Sequence, residues 1–251
     1  MCRHLLWLGG PVTLSALLLD PPHSLLRQSW SPRDMRGGGT VNADGFGVGW
    51  YQGESPVRYR RDCPIWQDAN FTRLAEVTSS TAVLAAVRSA TVGMPLTETA
   101  SAPFTDGRWL FSLNGVVAGW PDSVLKLAER LPVRDLLTMD APSDAAFVWA
   151  LVRDRLRAGV PASGAVAGTV AELVEAAPGS RLNLLLTDGL TGVASAQGHT
   201  LSVRRDATGV MIASEPVDPV PGWRVVPDGG LVTATGSNVN VAPLPVGEAA
   251  G

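Results

Sequence analysis

Cys2 follows the initiator methionine, and removal of Met1, which a small second side chain permits, leaves one residue with both a thiol and a free α-amine. An α-amine has a pKa of about 7.7–8.0 and a cysteine thiol one of about 8.5, so nucleophile and base share a residue without help from a histidine. The alternative is a small core cysteine on an edge strand. Three other places carry groups suited to charged or oxyanionic ligands. Arg88, in Arg88-Ser89-Ala90-Thr91-Val92-Gly93, directly follows an apolar strand pattern. A planar guanidinium there suits a carboxylate bound bidentately, the alternative being a plain surface arginine. Asn114-Gly115 ends another strand pattern with an amide side chain beside a glycine N–H. Two neutral donors side by side suit an oxyanion, although Asn-Gly is also the commonest hairpin signal. Ser143-Asp144 opens a long helical pattern, where Ser143 caps and Asp144 is favoured by the helix dipole whether or not it binds anything.

The elements that must position these residues follow from periodicity and turn signals. Arg3 to Leu8 reads as a strand, Gly9-Gly10-Pro11 as a turn, and the chain from about Val12 as an amphipathic helix. The apolar stretch Leu5 to Leu19 also has the outline of a signal peptide. It is broken at Gly9-Gly10-Pro11, however, and ends in Asp20-Pro21-Pro22 without a small-residue cleavage site. Gly37-Gly38-Gly39 marks a loop. Gly45 to Tyr51 alternates small and large residues as a strand closely approached by other backbone would, and is not a dinucleotide fingerprint. Phe71 to Val77 reads as a helix, and Ala82 to Val87 and Trp109 to Leu113 as buried strands flanking a loop from Thr91 to Asp106. Helices are expected at Ser123 to Arg130, Ser143 to Arg157 and Ala165 to Ala177. Strands follow at Leu182 to Leu186, Gly192 to Ala196, Leu201 to Arg204, Val210 to Ala213, Trp223 to Val226 and Leu231 to Ala234. Strands, then helices, then strands, without βαβ alternation, imply an α+β domain with helices over antiparallel sheets. The expected layout is a single domain over residues 2–240 and a disordered tail over 241–251.

Composition narrows the partners. The 251 residues carry 20 Lys and Arg against 23 Asp and Glu, a net charge of −3, which argues against nucleic acid as the main partner. No stretch reads as a membrane span. Two cysteines and three histidines are too few for a disulfide framework or a Cys/His zinc site, so no metal and a reducing cytoplasm are expected.

Taken jointly, Cys2, Asp44-Gly45-Phe46-Gly47-Val48-Gly49-Trp50-Tyr51, Arg88-x-x-Thr91-x-Gly93, Pro103-Phe104, Asn114-Gly115, Ser143-Asp144 and Ser214-Glu215-Pro216 occur in a family's order and spacing. They resemble the class II glutamine amidotransferases, which are N-terminal-nucleophile hydrolases, and the resemblance runs from residue 2 to about residue 235. Within the family the chain looks most like the stand-alone γ-glutamyl hydrolases of the ergothioneine pathway. The resemblance implies a four-layer αββα sandwich, two antiparallel sheets between helix layers, and an activity that needs no cofactor. It implies that Cys2 attacks a γ-glutamyl carbonyl, that the Asn114 side chain and Gly115 N–H form the oxyanion hole, and that Arg88 holds the substrate α-carboxylate. Asp144 would hold the α-ammonium and Thr91 would sit beside Arg88. The substrate so implied is a small γ-glutamyl molecule, γ-glutamyl hercynylcysteine sulfoxide, with no nucleic acid or membrane partner.

Two departures bear on specificity. Many members of the family carry His after the threonine of the arginine motif and His before Pro-Phe, where this chain has Val92 and Ala102. Free glutamine is thereby a weaker expectation. Eight tryptophans against two tyrosines and five phenylalanines suggest an aromatic contact for a trimethylammonium group, with Trp30 and Trp50 as the first candidates, the alternative for either being a place in the core. A glutaminase subunit supplying ammonia to a separate synthase is the second reading, and a catalytically inert binding module the third.

Overall fold

The computed structural model describes residues 2–35 and 41–245, so the glycine triplet at 37–39 and the tail from 246 lie outside the described residues. Period-two alternation along doubly buried strands sets the layering. In β1 (Arg3–Thr13), Leu5 and Trp7 join one apolar core while Leu6 and Leu8 join another. In β4 (Ser79–Val87), Val83, Ala85 and Val87 go with the first core, and Ala82 and Leu84 with the second.

Among the described residues the first sheet has seven strands. Its order is β11 (Arg224–Val225), β9 (Ser202–Arg205), β10 (Gly209–Ala213), β1, β4, β2 (Phe46–Gln52) and β3 (Ser55–Arg61). The second has six: β13 (Val239–Pro243), β12 (Gly230–Thr235), β8 (Thr191–Ala196), β7 (Arg181–Thr187), β6 (Trp109–Val116) and β5 (Phe104–Asp106). Every pairing is antiparallel. The outer face of the first sheet packs on α1 (Leu14–Leu18), α2 (Leu25–Gln28) and α3 (Ala69–Val77) through Leu14, Leu18, Leu25 and Phe71. Above the second sheet lie α4 (Leu125–Ala128), α5 (Val133–Leu137), α6 (Asp144–Arg157) and α7 (Ala162–Ala176). Phe147, Leu151, Val166 and Val170 meet Phe111, Leu184 and Leu186 there. The third core, between the sheets, joins Leu6, Leu84 and Ile212 to Leu110, Leu185 and Val232. The result is the α+β, four-layer αββα sandwich.

Some expectations change. Gly9-Gly10-Pro11 is no turn: β1 continues to Thr13 with a register shift between Leu8 and Val12. Gly9 lies opposite Gly209, where an added Cβ would stand 2.4 Å from the Thr208 carbonyl oxygen, so glycine is needed for close backbone approach. The helix that follows begins at Leu14, with Thr13 Oγ1 accepting from the Ala16 N–H at 3.3 Å. The expected 123–130 helix is a 3₁₀ turn at Asp122–Val124 followed by the single turn of α4. The boundary at residue 240 falls inside β13, which pairs with β12 as far as Pro243. Among the described residues no helix is long and apolar enough to cross a membrane.

Candidate active site

The layer between the sheets turns from apolar to polar at one end. Along β1 the inward positions run Leu8, Leu6, His4, and the same alternation continued to the chain start reaches Cys2. Along β4 they run Ala82, Leu84, Ala86 and then Arg88, one residue past the strand. On β6 they run Leu110, Ser112, Asn114, and on β10 Val210, Ile212 and then Ser214. Four separate strands thus deliver Cys2, Arg88, Asn114 and Ser214 to one end of the sandwich.

A cleft opens there, lined by Cys2, Arg88, Thr91, Gly115, Asp144 and Ala102 among others. Cys2 is half-buried and its Sγ lies 3.9 Å from the Ser89 carbonyl oxygen. Arg88 is 9% exposed, and its Nη1 has no hydrogen-bond partner among the described residues. An arginine nitrogen left so is a place for an anionic ligand. The loop carrying it is tied down: Arg88 N–H donates to the Gly45 carbonyl at 2.8 Å, and Ala90 N–H to Asp44 Oδ2 at 2.8 Å. The Asp44-Gly45 pair therefore anchors the segment from Arg88 to Ala90 that lines the cleft.

Asp144 is the first residue of α6, whose N-cap Ser143 accepts from the Ala146 N–H at 3.3 Å. Its carboxylate accepts from Val117 N–H at 3.0 Å and from Ala145 N–H at 2.8 Å. Burial pushes its pKa above the ordinary aspartate value, while those N–H donors and the Arg88 charge act in the opposite sense. A cation arriving beside it acts in that same opposite sense and favours the charged carboxylate.

Asn114 is buried one residue before the cleft-lining Gly115, and one N–H of its Nδ2 donates to Ser214 Oγ at 3.0 Å. Gly115 pairs with Leu182 where a Cβ would meet the Arg181 carbonyl oxygen at 1.8 Å, so this Asn-Gly belongs to strand β6 and not to a hairpin turn. His4 is buried with its pKa lowered to about 3 by burial first, then by His199 and Arg3, and it remains neutral.

The two tryptophan expectations are corrected. Trp50 is 8% exposed and belongs to the core under the first sheet, because its strand position faces α3 and not the cleft. Trp30 is 38% exposed but lies outside the cleft, with Trp66 against it edge-on at 5.4 Å and the Arg27 guanidinium over its ring at 5.6 Å. A cation already occupies that aromatic face. Ala102 lines the cleft, whereas Val92 is fully exposed and lines a neighbouring cavity.

Sequence reasoning passed over Arg3, whose guanidinium sits between Glu215 and the Cys2 carbonyl. The signal was available as a charged residue opening an otherwise apolar central strand. Among the described residues no group of three or more His, Cys, Asp or Glu side chains is placed to hold a metal ion.

A model of the class II glutamine amidotransferases matches residues 24–209. The γ-glutamyl-hercynylcysteine sulfoxide hydrolase of Mycolicibacterium smegmatis is 45% identical, covering 97% of this chain and 100% of its own length. The protein of the same name from Mycobacterium tuberculosis strain H37Rv is 41% identical over 97% of each chain. A glutamine aminotransferase class-II domain protein from Silicibacter pomeroyi shares the fold, with a TM-score of 0.66 at 21% identity over 97% of this chain and 99% of that one.

Proposed function

Given that the chain belongs to the class II glutamine amidotransferase family, we propose that it hydrolyses a γ-glutamyl amide through a Cys2 thioester, with γ-glutamyl hercynylcysteine sulfoxide as substrate. The observation that carries this reading is the meeting, in one cleft, of Cys2, Arg88, Thr91, Gly115 and Asp144 from separate parts of the chain. The Arg88 Nη1 left without a partner takes the substrate α-carboxylate, with Thr91 beside it, and Asp144 takes the α-ammonium. The distal γ-carbonyl then faces Cys2.

In the first half-reaction Cys2 Sγ bonds to the γ-carbonyl carbon while the thiol proton passes to the α-amine that removal of Met1 exposes. The Gly115 N–H and the second N–H of the Asn114 amide meet the developing oxyanion. As the amide C–N bond breaks, the α-amine returns its proton to the departing nitrogen, leaving a γ-glutamyl thioester. Water then adds to the thioester carbon, its proton passes through the amine to the leaving sulfur, and glutamate is released. No cofactor enters these steps. The proposed setting is the cytoplasm, where a reducing poise keeps Cys2 a thiol.

The test is glutamate release by the processed enzyme from γ-glutamyl hercynylcysteine sulfoxide compared with glutamine. Preference for the sulfoxide supports a dedicated γ-glutamyl hydrolase. Preference for glutamine, increased by a partner synthase, replaces it with the ammonia-supplying reading.

A further inference from the structure

Cys2 lies one residue outside the sheet. Pairing with β4 begins at Arg3 opposite Val87, and pairing with β10 at Leu5 opposite Ala213. The carbonyl of Cys2 is held instead by the side chain that follows it. Arg3 Nη1 donates to the Cys2 carbonyl oxygen at 2.8 Å, Nη2 donates to the Asp34 carbonyl oxygen, and Nε donates to Glu215 Oε1 at 2.7 Å. The Glu215 carboxylate is filled from other directions as well. The Asp34 N–H donates to Oε1 at 3.2 Å, the Arg33 N–H to Oε2 at 2.8 Å and His23 Nε2 to Oε2 at 2.7 Å.

Arg3, His23 and Glu215 are all buried. A buried ion pair is seldom more stabilising than apolar side chains of equal volume, so stability alone is a weak reason for this one. What it fixes is the peptide plane between residues 2 and 3, from whose Cα both the thiol and the α-amine of Cys2 project. A cluster assembled from the chain start, residues 23–34 and residue 215 converges on that single carbonyl.

We propose that Glu215 is a positioning residue for the nucleophile, acting through Arg3 to set the main chain of Cys2 so that thiol and amine meet the γ-carbonyl. Its carboxylate does not line the cleft and reaches the Cys2 main chain through Arg3. The inference rests on the Cys2 chemistry proposed above, but not on the leaving half of the substrate.

A diazoketone analogue of glutamine tests it, because alkylation of the nucleophile requires the γ-glutamyl site and no particular leaving group. Glu215→Gln keeps the shape and removes the charge. A misplacement of about 1 Å at a reacting group costs about 100-fold in rate. The maximal inactivation rate is therefore expected to fall about 100-fold in Glu215→Gln, with the half-saturating concentration changed less than about 3-fold. Glu215→Asp, which keeps the charge and withdraws it by one methylene, is expected to recover part of the loss, and it replaces Glu215→Gln if that variant does not fold. An unchanged inactivation rate in a folded variant, or a half-saturating concentration that rises by as much as the rate falls, overturns the proposal. Wild type that is alkylated at Cys2 yet releases no glutamate from the sulfoxide overturns the substrate reading alone.

Discussion

Ser214 Oγ, at the end of the first sheet, accepts a 3.0 Å hydrogen bond from Nδ2 of Asn114 in the second. The same oxygen accepts from the main-chain N–H of His4 at 3.0 Å, two residues beyond Cys2. One hydroxyl therefore keys the strand of the nucleophile to the amide proposed for the oxyanion hole. Ser214→Ala is expected to lower kcat about 10-fold with little change in KM, the net worth of the one of its two hydrogen bonds that orients the Asn114 amide. Asn114→Ala, which removes the donor itself, is expected to lose about 10²–10³ in kcat. Steady-state kinetics on the two variants check the ranking, and equal losses contradict it.

Arg88 is buried with a nitrogen unspent, so its replacement is expected to act on binding. Lysine presents a point charge in place of a planar fork and loses about 1.5–3 kcal/mol of charge-assisted hydrogen bonding, or about 10–150-fold in kcat/KM, carried mainly by KM. A kcat loss with unchanged KM in Arg88→Lys argues against carboxylate binding there.

Gly47 faces the segment that walls the cleft. A Cβ at this position would stand 2.1 Å from the Ala102 carbonyl oxygen, and Ala100 and Ala102 both line the cleft. Gly47→Ala is expected to cost about 1–3 kcal/mol of stability and to raise KM by displacing that wall. Thermal unfolding and KM measured on one preparation check both effects.

The two tryptophans separate cleanly. Trp50→Ala opens a cavity in the core and is expected to cost about 3–5 kcal/mol. Trp30→Ala, outside the cleft, is expected to change KM for a betaine-bearing substrate less than about 2-fold, as exposed substitutions do. A larger KM change restores Trp30 as a contact for the trimethylammonium group.

What could be read from the sequence was local. Arg88 follows an apolar strand, Asp144 follows an N-cap serine, and Cys2 follows a methionine; each signal lies within a few residues of the group it marks. The glycine alternation at Gly47 and Gly49 likewise announced close approach, and the structure supplies the approaching atoms from Ala102, Pro103 and Leu110. What could not be read was long-range or masked by sheet edges. Arg3 and Glu215 are 212 residues apart in sequence and only the fold brings them together. Strand β3 shows no apolar alternation because its inward positions are Arg58 and Arg60, which face Asp140 at 3.7 and 3.5 Å in place of an apolar core. Gly9-Gly10-Pro11 has turn composition, yet pairing with Gly209 on one side and resumed pairing with β4 at Val12 keep the chain extended.

Glu215 also sets a pH dependence. Burial alone would raise its pKa, but hydrogen bonds from His23, the Arg33 N–H and Arg3 outweigh burial and hold it at about 2, below the ordinary 4.5. With the folded value depressed, its contribution to stability is complete above pH 4.5 and is lost as pH falls towards 2, in all roughly 3 kcal/mol. Urea midpoints of wild type are expected to fall more steeply than those of Glu215→Gln between about pH 5 and about pH 2.5. Parallel slopes contradict the assignment.

The thioester is tested most directly by glutamate release in wild type and Cys2→Ala, with intact mass establishing that Met1 has been removed from both. Release from γ-glutamyl hercynylcysteine sulfoxide by wild type, abolished in Cys2→Ala while the folded state is retained, is the expected result. Release by Cys2→Ala at the wild-type rate, or by wild type that still carries Met1, contradicts a nucleophile and base housed together in Cys2.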